Sequence, residues 1–100
     1  MAHRREKGRI SRARLYLRLL EYMLYSDTVE FTKYELMNKI PDLPSQRQDR
    51  ISEILNSMMA AGHIEIILSR PNVTYYKLTE MGKNWYKEYG KEFLKFTSIL

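Results

Sequence analysis

The chain has 100 residues, 44% hydrophobic and 29% charged, which suits one folded globular domain and argues against a disordered chain. It has no cysteine, which excludes a disulfide scaffold, a zinc finger and a thiol nucleophile. No apolar run approaches the ~18–20 residues a bilayer-spanning helix needs, and the N-terminus lacks the apolar core of a secretory signal, so a cytoplasmic protein is expected.

The net charge of +5 is unevenly placed. Residues 1–14 carry Arg4, Arg5, Lys7, Arg9, Arg12 and Arg14 against Glu6 alone, while basic and acidic side chains cancel over residues 15–100. Residues 1–10 therefore read as a basic N-terminal arm. A clustered basic arm beside a neutral domain points to a phosphate-seeking segment; the plainer reading is a solvated tail.

Ser11 is placed to cap a first helix that runs to about Tyr25. Leu15, Leu19, Tyr22 and Met23 form one stripe, and Leu17, Leu20 and Leu24 widen it, so this helix is expected to be buried on more than one side. Ser26-Asp27 ends it. Val29-Glu30-Phe31 is β-like and suited to pair with the edge of a later hairpin.

Thr32-Lys33-Tyr34-Glu35 fits a capping box, with Phe31 and Leu36 placed as a hydrophobic staple. A short helix over Thr32–Ile40 is predicted, ended by Pro41. Pro41-Asp42-Leu43-Pro44 is read as a turn. Ser45-Gln46-Arg47-Gln48 repeats the capping-box pattern, which predicts a longer helix over Ser45–Ala61 with Ile51, Ile54, Leu55 and Met58 inward. Gly62 supplies the left-handed residue that ends it.

Ile64, Ile66 and Leu68 then alternate along a strand, Arg70-Pro71-Asn72 composes a turn, and Val73–Leu78 is the return strand. Thr79 is placed to cap a last helix from about Glu80 towards Thr97. Met81, Trp85, Tyr89, Phe93, Phe96 and Leu100 fall on one stripe of it, with Gly90 a point of weakness or bending.

Helix, turn, longer helix, glycine, strand, turn, strand is the order of a winged helix-turn-helix. Ile51 to Ile64 resembles a recognition helix running into a wing. Tyr76-Lys77-Leu78-Thr79-Glu80-Met81-Gly82 resembles the Y-x-L-T-x-x-G phrase that closes the wing in MarR-like and PadR-like regulators. The resemblance covers about residues 11–82. The size, tyrosine content and long last helix are similar to those of small winged-helix proteins of archaea and their viruses. The expected fold is α+β, mostly α: a winged-helix domain over 11–100 with a short β-hairpin wing and a long C-terminal dimerisation helix from about residue 80. The chain departs from the pattern in the two prolines of its turn, in having only Arg70 as a basic residue at the wing tip, and in carrying Asp49 and Glu53 on the longer helix.

The resemblance implies double-stranded DNA as partner and a homodimeric transcriptional regulator. A recognition helix enters the major groove by its N-terminal part. Helical geometry turns Ser45, Gln46, Asp49, Arg50, Ser52, Glu53, Asn56 and Ser57 outward. Gln46 and Arg50 suit bidentate contacts to adenine and guanine edges, and Arg47 and Gln48 flank them at phosphate reach. Asp49 and Glu53 repel phosphate, and are expected to accept from cytosine or to pair with Arg50. Arg70 and Asn72 are placed at the wing tip for a minor groove or phosphate, although a turn chosen for backbone geometry explains them equally. Trp85, Tyr89, Phe93, Phe96 and Leu100 are expected to form a dimer interface, with part of the stripe packed on the first helix and its far end exposed.

His3 and His63 stand alone, with no cysteine or carboxylate at ligand spacing, so no metal or catalytic site is expected. No glycine-rich phosphate loop is present, and no cofactor, small-molecule effector or enzyme signature is evident. Two other readings remain: a winged helix used as a protein-interaction module, and non-specific or architectural nucleic-acid binding through the arm.

Overall fold

A computed structural model describes residues 11–41, 43–71 and 73–93. For Leu68, Ser69 and Arg70 only the backbone is described. The expectations placed on Arg4, Arg5, Lys7, Arg9, Asn72, Phe96 and Leu100, and on the side chain of Arg70, lie outside what is described.

The described residues form a mostly helical α+β fold, with four helices and one three-stranded antiparallel sheet. Helix α1 spans Arg12–Tyr25, and the Ser11 hydroxyl accepts from the Arg14 N–H at 3.1 Å. Leu15, Leu17, Leu19, Leu20 and Met23 are all buried, so α1 is covered around much of its circumference, as its wide apolar stripe requires. Strand β1 is only Phe31–Thr32, at the C-terminal end of the β-like stretch expected. Helix α2 spans Lys33–Lys39, and Thr32 Oγ1 accepts from the Glu35 N–H at 3.1 Å. Phe31 and Leu36 are both buried.

Helix α3 spans Gln48–Ala60. It starts three residues later than the capping pattern at Ser45 suggests, because the chain spends those residues turning. The Leu43 N–H bonds the Ile40 carbonyl at 3.2 Å, and the Gln46 N–H bonds the Leu43 carbonyl at 2.9 Å. Leu43 and Ile40 go into the core, so burying them decides the path between the two prolines. Arg47 takes the N-cap position without a side-chain cap bond. The other end of α3 is well closed. Gly62 has φ +81°, the His63 N–H reaches the Met58 carbonyl and the Gly62 N–H the Met59 carbonyl, each at 3.0 Å. That pair of bonds is the Schellman closure.

Strands β2 (Ile64–Arg70) and β3 (Val73–Leu78) form a hairpin, and β1 pairs on the far side of β3, with Phe31 opposite Tyr76. Ile66 faces Tyr76 and Leu68 faces Tyr75, so Ile67 is an extra residue in β2. The simple alternation expected of this strand therefore fails. Ile64 is buried, but Ile66 is 46% exposed.

Thr79 ties the hairpin to α3 and to the last helix. Its hydroxyl donates to the Gly62 carbonyl at 2.6 Å and accepts from the Gly82 N–H at 3.0 Å, while its own N–H bonds the His63 carbonyl at 3.0 Å. Gly82 lies so close that a Cβ there would stand 2.3 Å from the His63 carbonyl oxygen. The motif letters Leu, Thr and Gly thus have physical roles: a buried side chain at Leu78, a cap and tie at Thr79, and a close backbone approach at Gly82.

The last helix is not the continuous α-helix expected. Helix α4 spans Glu80–Trp85, a π-helical turn occupies Tyr86–Gly90, and residues 91–93 are helical again. Its inward face is Gly82, Tyr86 and Gly90, one residue on from the aromatic stripe. A Cβ on Gly90 would lie 2.7 Å from Leu17 Cδ2, so this glycine lets the helix approach α1. No helix among the described residues is long and apolar enough to cross a membrane.

Candidate nucleic-acid interface

The end of the turn and the first two turns of α3 gather most of the residues singled out for reading. Ile51, Ile54, Leu55 and Met58 are buried, which turns Gln48, Asp49, Glu53, Asn56 and Ser57 to the surface, with Arg50 half-exposed. Arg47 and Ser45 are exposed beside them.

Gln46 does not belong with that face. It precedes the helix and is only 8% exposed. Its Oε1 accepts from Arg50 Nη1 at 2.5 Å, and its Nε2 donates to Ser45 Oγ at 3.3 Å. A buried amide held in this way accepts from the Arg50 guanidinium and does not share the outward face expected of it. Helical geometry turns Gln46 outward only for a helix that starts at Ser45, and α3 starts at Gln48.

The acidic side chains also differ from expectation. Asp49 Oδ2 pairs with Arg47 Nη2 at 2.9 Å, and Glu53 Oε1 with Arg12 Nη1 at 3.1 Å, so each finds a cation other than Arg50. These pairs are well exposed, and exposed pairs contribute only ~0–1 kcal/mol each. The guanidiniums of Arg47 and Arg12 can therefore exchange a carboxylate for a phosphate at small cost. Arg12, Arg47, Asp49, Arg50 and Glu53 line one shallow polar recess, which brings α1 to the edge of the α3 face.

The sequence gives little sign of Lys33 as a member of this surface. Its ammonium reaches Ser52 Oγ at 2.5 Å, which places the start of α2 against the middle of α3. Lys33, Tyr34, Asn38, Pro44 and Gln48 border a second recess between α2 and α3.

The described aromatic residues expected to mediate dimerisation lie on the last helix, beside α1 and His63. Trp85 is partly buried, its ring 5.0 Å from that of His63 and 6.1 Å from that of Tyr16. Tyr89 is 59% exposed and Phe93 42%. Met81, placed on the same stripe, is exposed and lies against Gly62. His63 is buried, and its Nδ1 shares a 2.8 Å hydrogen bond with the Tyr16 hydroxyl. Burial lowers the His63 pKa and raises that of Tyr16, so both are held neutral. Among the described residues no cluster of histidine and carboxylate side chains could hold a metal ion.

No protein-family model matches the chain, and neither a curated protein nor a solved structure matches it.

Proposed function

We propose that the chain is a winged helix-turn-helix protein that binds double-stranded DNA sequence-specifically as a homodimer and regulates transcription. Element order and sheet order are compatible with that fold: α1, a short β1, α2, turn, α3, then a β2–β3 hairpin in a sheet ordered β1-β3-β2. One observation carries the functional reading. The first turn of α3 buries Ile51 and exposes Gln48 and Asp49, with Arg47 exposed just ahead of it and Arg50 held by Gln46. Arg50 is the proposed base reader, Gln48 its neighbour, and Arg47, Arg12 and Lys33 are phosphate contacts. The excess positive charge of residues 1–14 supplies the salt-dependent part of the affinity. The exposed Tyr89 and Phe93 supply an apolar face for a second copy, which would set two α3 helices roughly 34 Å apart on one duplex.

A second reading has its own support. Asp49 and Glu53 balance Arg47 and Arg50 on α3, so this face has no net charge of its own, and such a face also suits a protein partner. A gel-shift titration with labelled duplex, with and without unrelated competitor and at two salt concentrations, separates the readings. Retention of one sequence against competitor supports the regulator. Loss of all binding at higher salt supports architectural binding through the arm. Absence of binding at both salts supports the interaction module.

A further inference from the structure

The recess lined by Arg12, Arg47, Asp49, Arg50 and Glu53 sets three guanidiniums against two carboxylates. A carboxylate is poorly placed on a face that meets a phosphate backbone, because like charges repel. We propose that Glu53, assisted by Asp49, is a specificity-determining residue: it competes with phosphate for the guanidiniums of the recess and so holds down binding to unmatched DNA. The proposal rests on the reading of α3 as the DNA-binding face.

The first observation is that the fold makes little use of the Glu53 carboxylate. Its Oε1 pairs with Arg12 Nη1 at 3.1 Å, but the two side chains are 65% and 52% exposed. Such a pair adds little to stability. Glu53 also lies beyond the first turn of α3, where the free N–H groups of a helix favour an acid. Asp49 does stand in that first turn, so its carboxylate has a local role as well. Glu53 therefore leads and Asp49 assists.

The second observation is which cations the acids hold. Arg12 opens α1, at the end of the basic N-terminal stretch of the sequence. Its pair with Glu53 draws it across to the outer side of α3. Arg47 is the N-cap of α3, and Asp49 holds it at 2.9 Å. Each guanidinium has to leave or share a carboxylate before it serves a phosphate fully. That penalty is the same on every sequence.

Relief from the penalty depends on sequence. Glu53 follows Asp49 by four residues and Arg50 by three, so the three share one side of α3. A carboxylate only accepts hydrogen bonds. The donors that base edges offer in the major groove are the amino groups of cytosine and adenine. Where such an amine meets the freed carboxylate, it offsets the repulsion; elsewhere nothing does. A general penalty with local relief widens the gap between matched and unmatched sites.

The test titrates the full chain, and chains carrying Glu53→Gln, Asp49→Asn or both, with two short duplexes. One has mixed sequence and the other is the duplex that the parent chain selects. Fluorescence anisotropy is read at two salt concentrations. Both changes keep side-chain size at exposed positions, so thermal melts should be little altered. Glu88→Gln is the control: it changes net charge equally, from an exposed position on the last helix that does not line the recess. Glu53→Gln should raise affinity for the mixed duplex about threefold to fivefold. It should steepen the slope of log affinity against log salt by ~0.9 for the guanidinium released to phosphate. The ratio of selected to mixed affinity should fall, Asp49→Asn should act in the same direction, and Glu88→Gln should leave the ratio unchanged. Three results would overturn the proposal: unchanged mixed-duplex affinity in both single variants, an equal gain on both duplexes, or an equal gain from Glu88→Gln. With a parent that still prefers its selected duplex, those results leave the reading of DNA by α3 standing. A parent that selects no duplex, beside a Glu53→Gln chain that gains on the mixed one, removes sequence-specific reading and keeps the competition. No binding by any of the chains overturns both.

Discussion

Helix α3 and the last helix each lay one face on the same core and show the other to solvent, yet only the last helix leaves large aromatic side chains on its outer face. That of α3 is polar, with Gln48, Asp49, Glu53, Asn56 and Ser57 exposed. That of the last helix adds an aromatic edge, with Tyr89 and Phe93 exposed and Trp85 half-buried beside them, to exposed Asn84, Lys87, Glu88, Lys91 and Glu92. The inner faces differ as well. Helix α3 buries Ile51, Ile54, Leu55 and Met58, whereas the last helix turns Gly82, Tyr86 and Gly90 inward. A helix seated on large apolar side chains spends its hydrophobic residues on its own fold and keeps polar ones for solvent or nucleic acid. A helix seated on Gly82 and Gly90 as well as Tyr86 comes close to its neighbours and leaves Tyr89 and Phe93 on its outer side.

The largest expected effect tests the inner face of α3. Leu55→Ala should cost ~2–5 kcal/mol in urea unfolding, because the side chain is fully packed and leaves a cavity. Asn56→Ala, one residue on but exposed, should stay within about 0.5 kcal/mol. Similar losses in the two variants would mean that α3 has been given the wrong face.

Gly82→Ala probes the glycine seat of the last helix. The added methyl would meet a backbone carbonyl, which cannot rotate away, so a loss of about 3 kcal/mol is expected in the same unfolding assay. Stability equal to the parent would show that the helix does not sit so close to His63.

The pH dependence of stability gives a smaller, two-sided readout. Burial, the charge of Glu21 and a hydrogen bond with it push the Tyr86 phenol from 10.0 up to about 12. A raised pKa stabilises the fold fully below pH 10, and that contribution is lost as pH rises towards about 12. Tyr86→Phe should flatten this alkaline limb. The His63 pKa is lowered by burial, so its contribution is present above pH 6.5 and is lost as pH falls below that value. Thermal melts across the two ranges, with His63→Gln and Tyr86→Phe as controls, check both signs.

The smallest effect on stability should come from Tyr89→Glu with Phe93→Glu. Both positions are exposed, so unfolding should shift by less than about 0.5 kcal/mol. Association should change far more, since two unpaired carboxylates in an apolar contact are costly to desolvate. Sedimentation of a dimeric parent and a monomeric variant would fit the proposed assembly; a parent already monomeric at micromolar concentration would remove it.

Much of the fold was legible in the residues, for reasons that are local. Ser11, Thr32 and Thr79 are caps because a hydroxyl ahead of a helix finds a free N–H, and all three do. Gly62 ends α3 because a positive φ favours a residue without a side chain. Where long-range packing decided the outcome, the pattern misled. Ser45 looks like a cap, but the burial of Leu43 keeps the chain turning until Arg47. The aromatic stripe looks like an inward face because glycine has no side chain to mark one, yet Gly82 and Gly90 are where the backbone comes closest. The candidate interface was legible in part for the same reason. Asp49, Glu53, Asn56 and Ser57 turn outward as helical spacing requires, whereas the burial of Gln46 and the Lys33–Ser52 contact depend on how the turn and α2 sit against α3.

The proposed role of α3 as the reader of DNA is tested most directly by selection of bound duplexes from a random pool, run in parallel with the parent chain and with Arg50→Ala. The parent should enrich a defined site. Arg50→Ala should lose preference at one or two base pairs of it, at a cost of ~1–3 kcal/mol in affinity for that site, with its unfolding little changed. No enrichment by the parent, or an Arg50→Ala chain that enriches the same site with the same preference at every position, would contradict it.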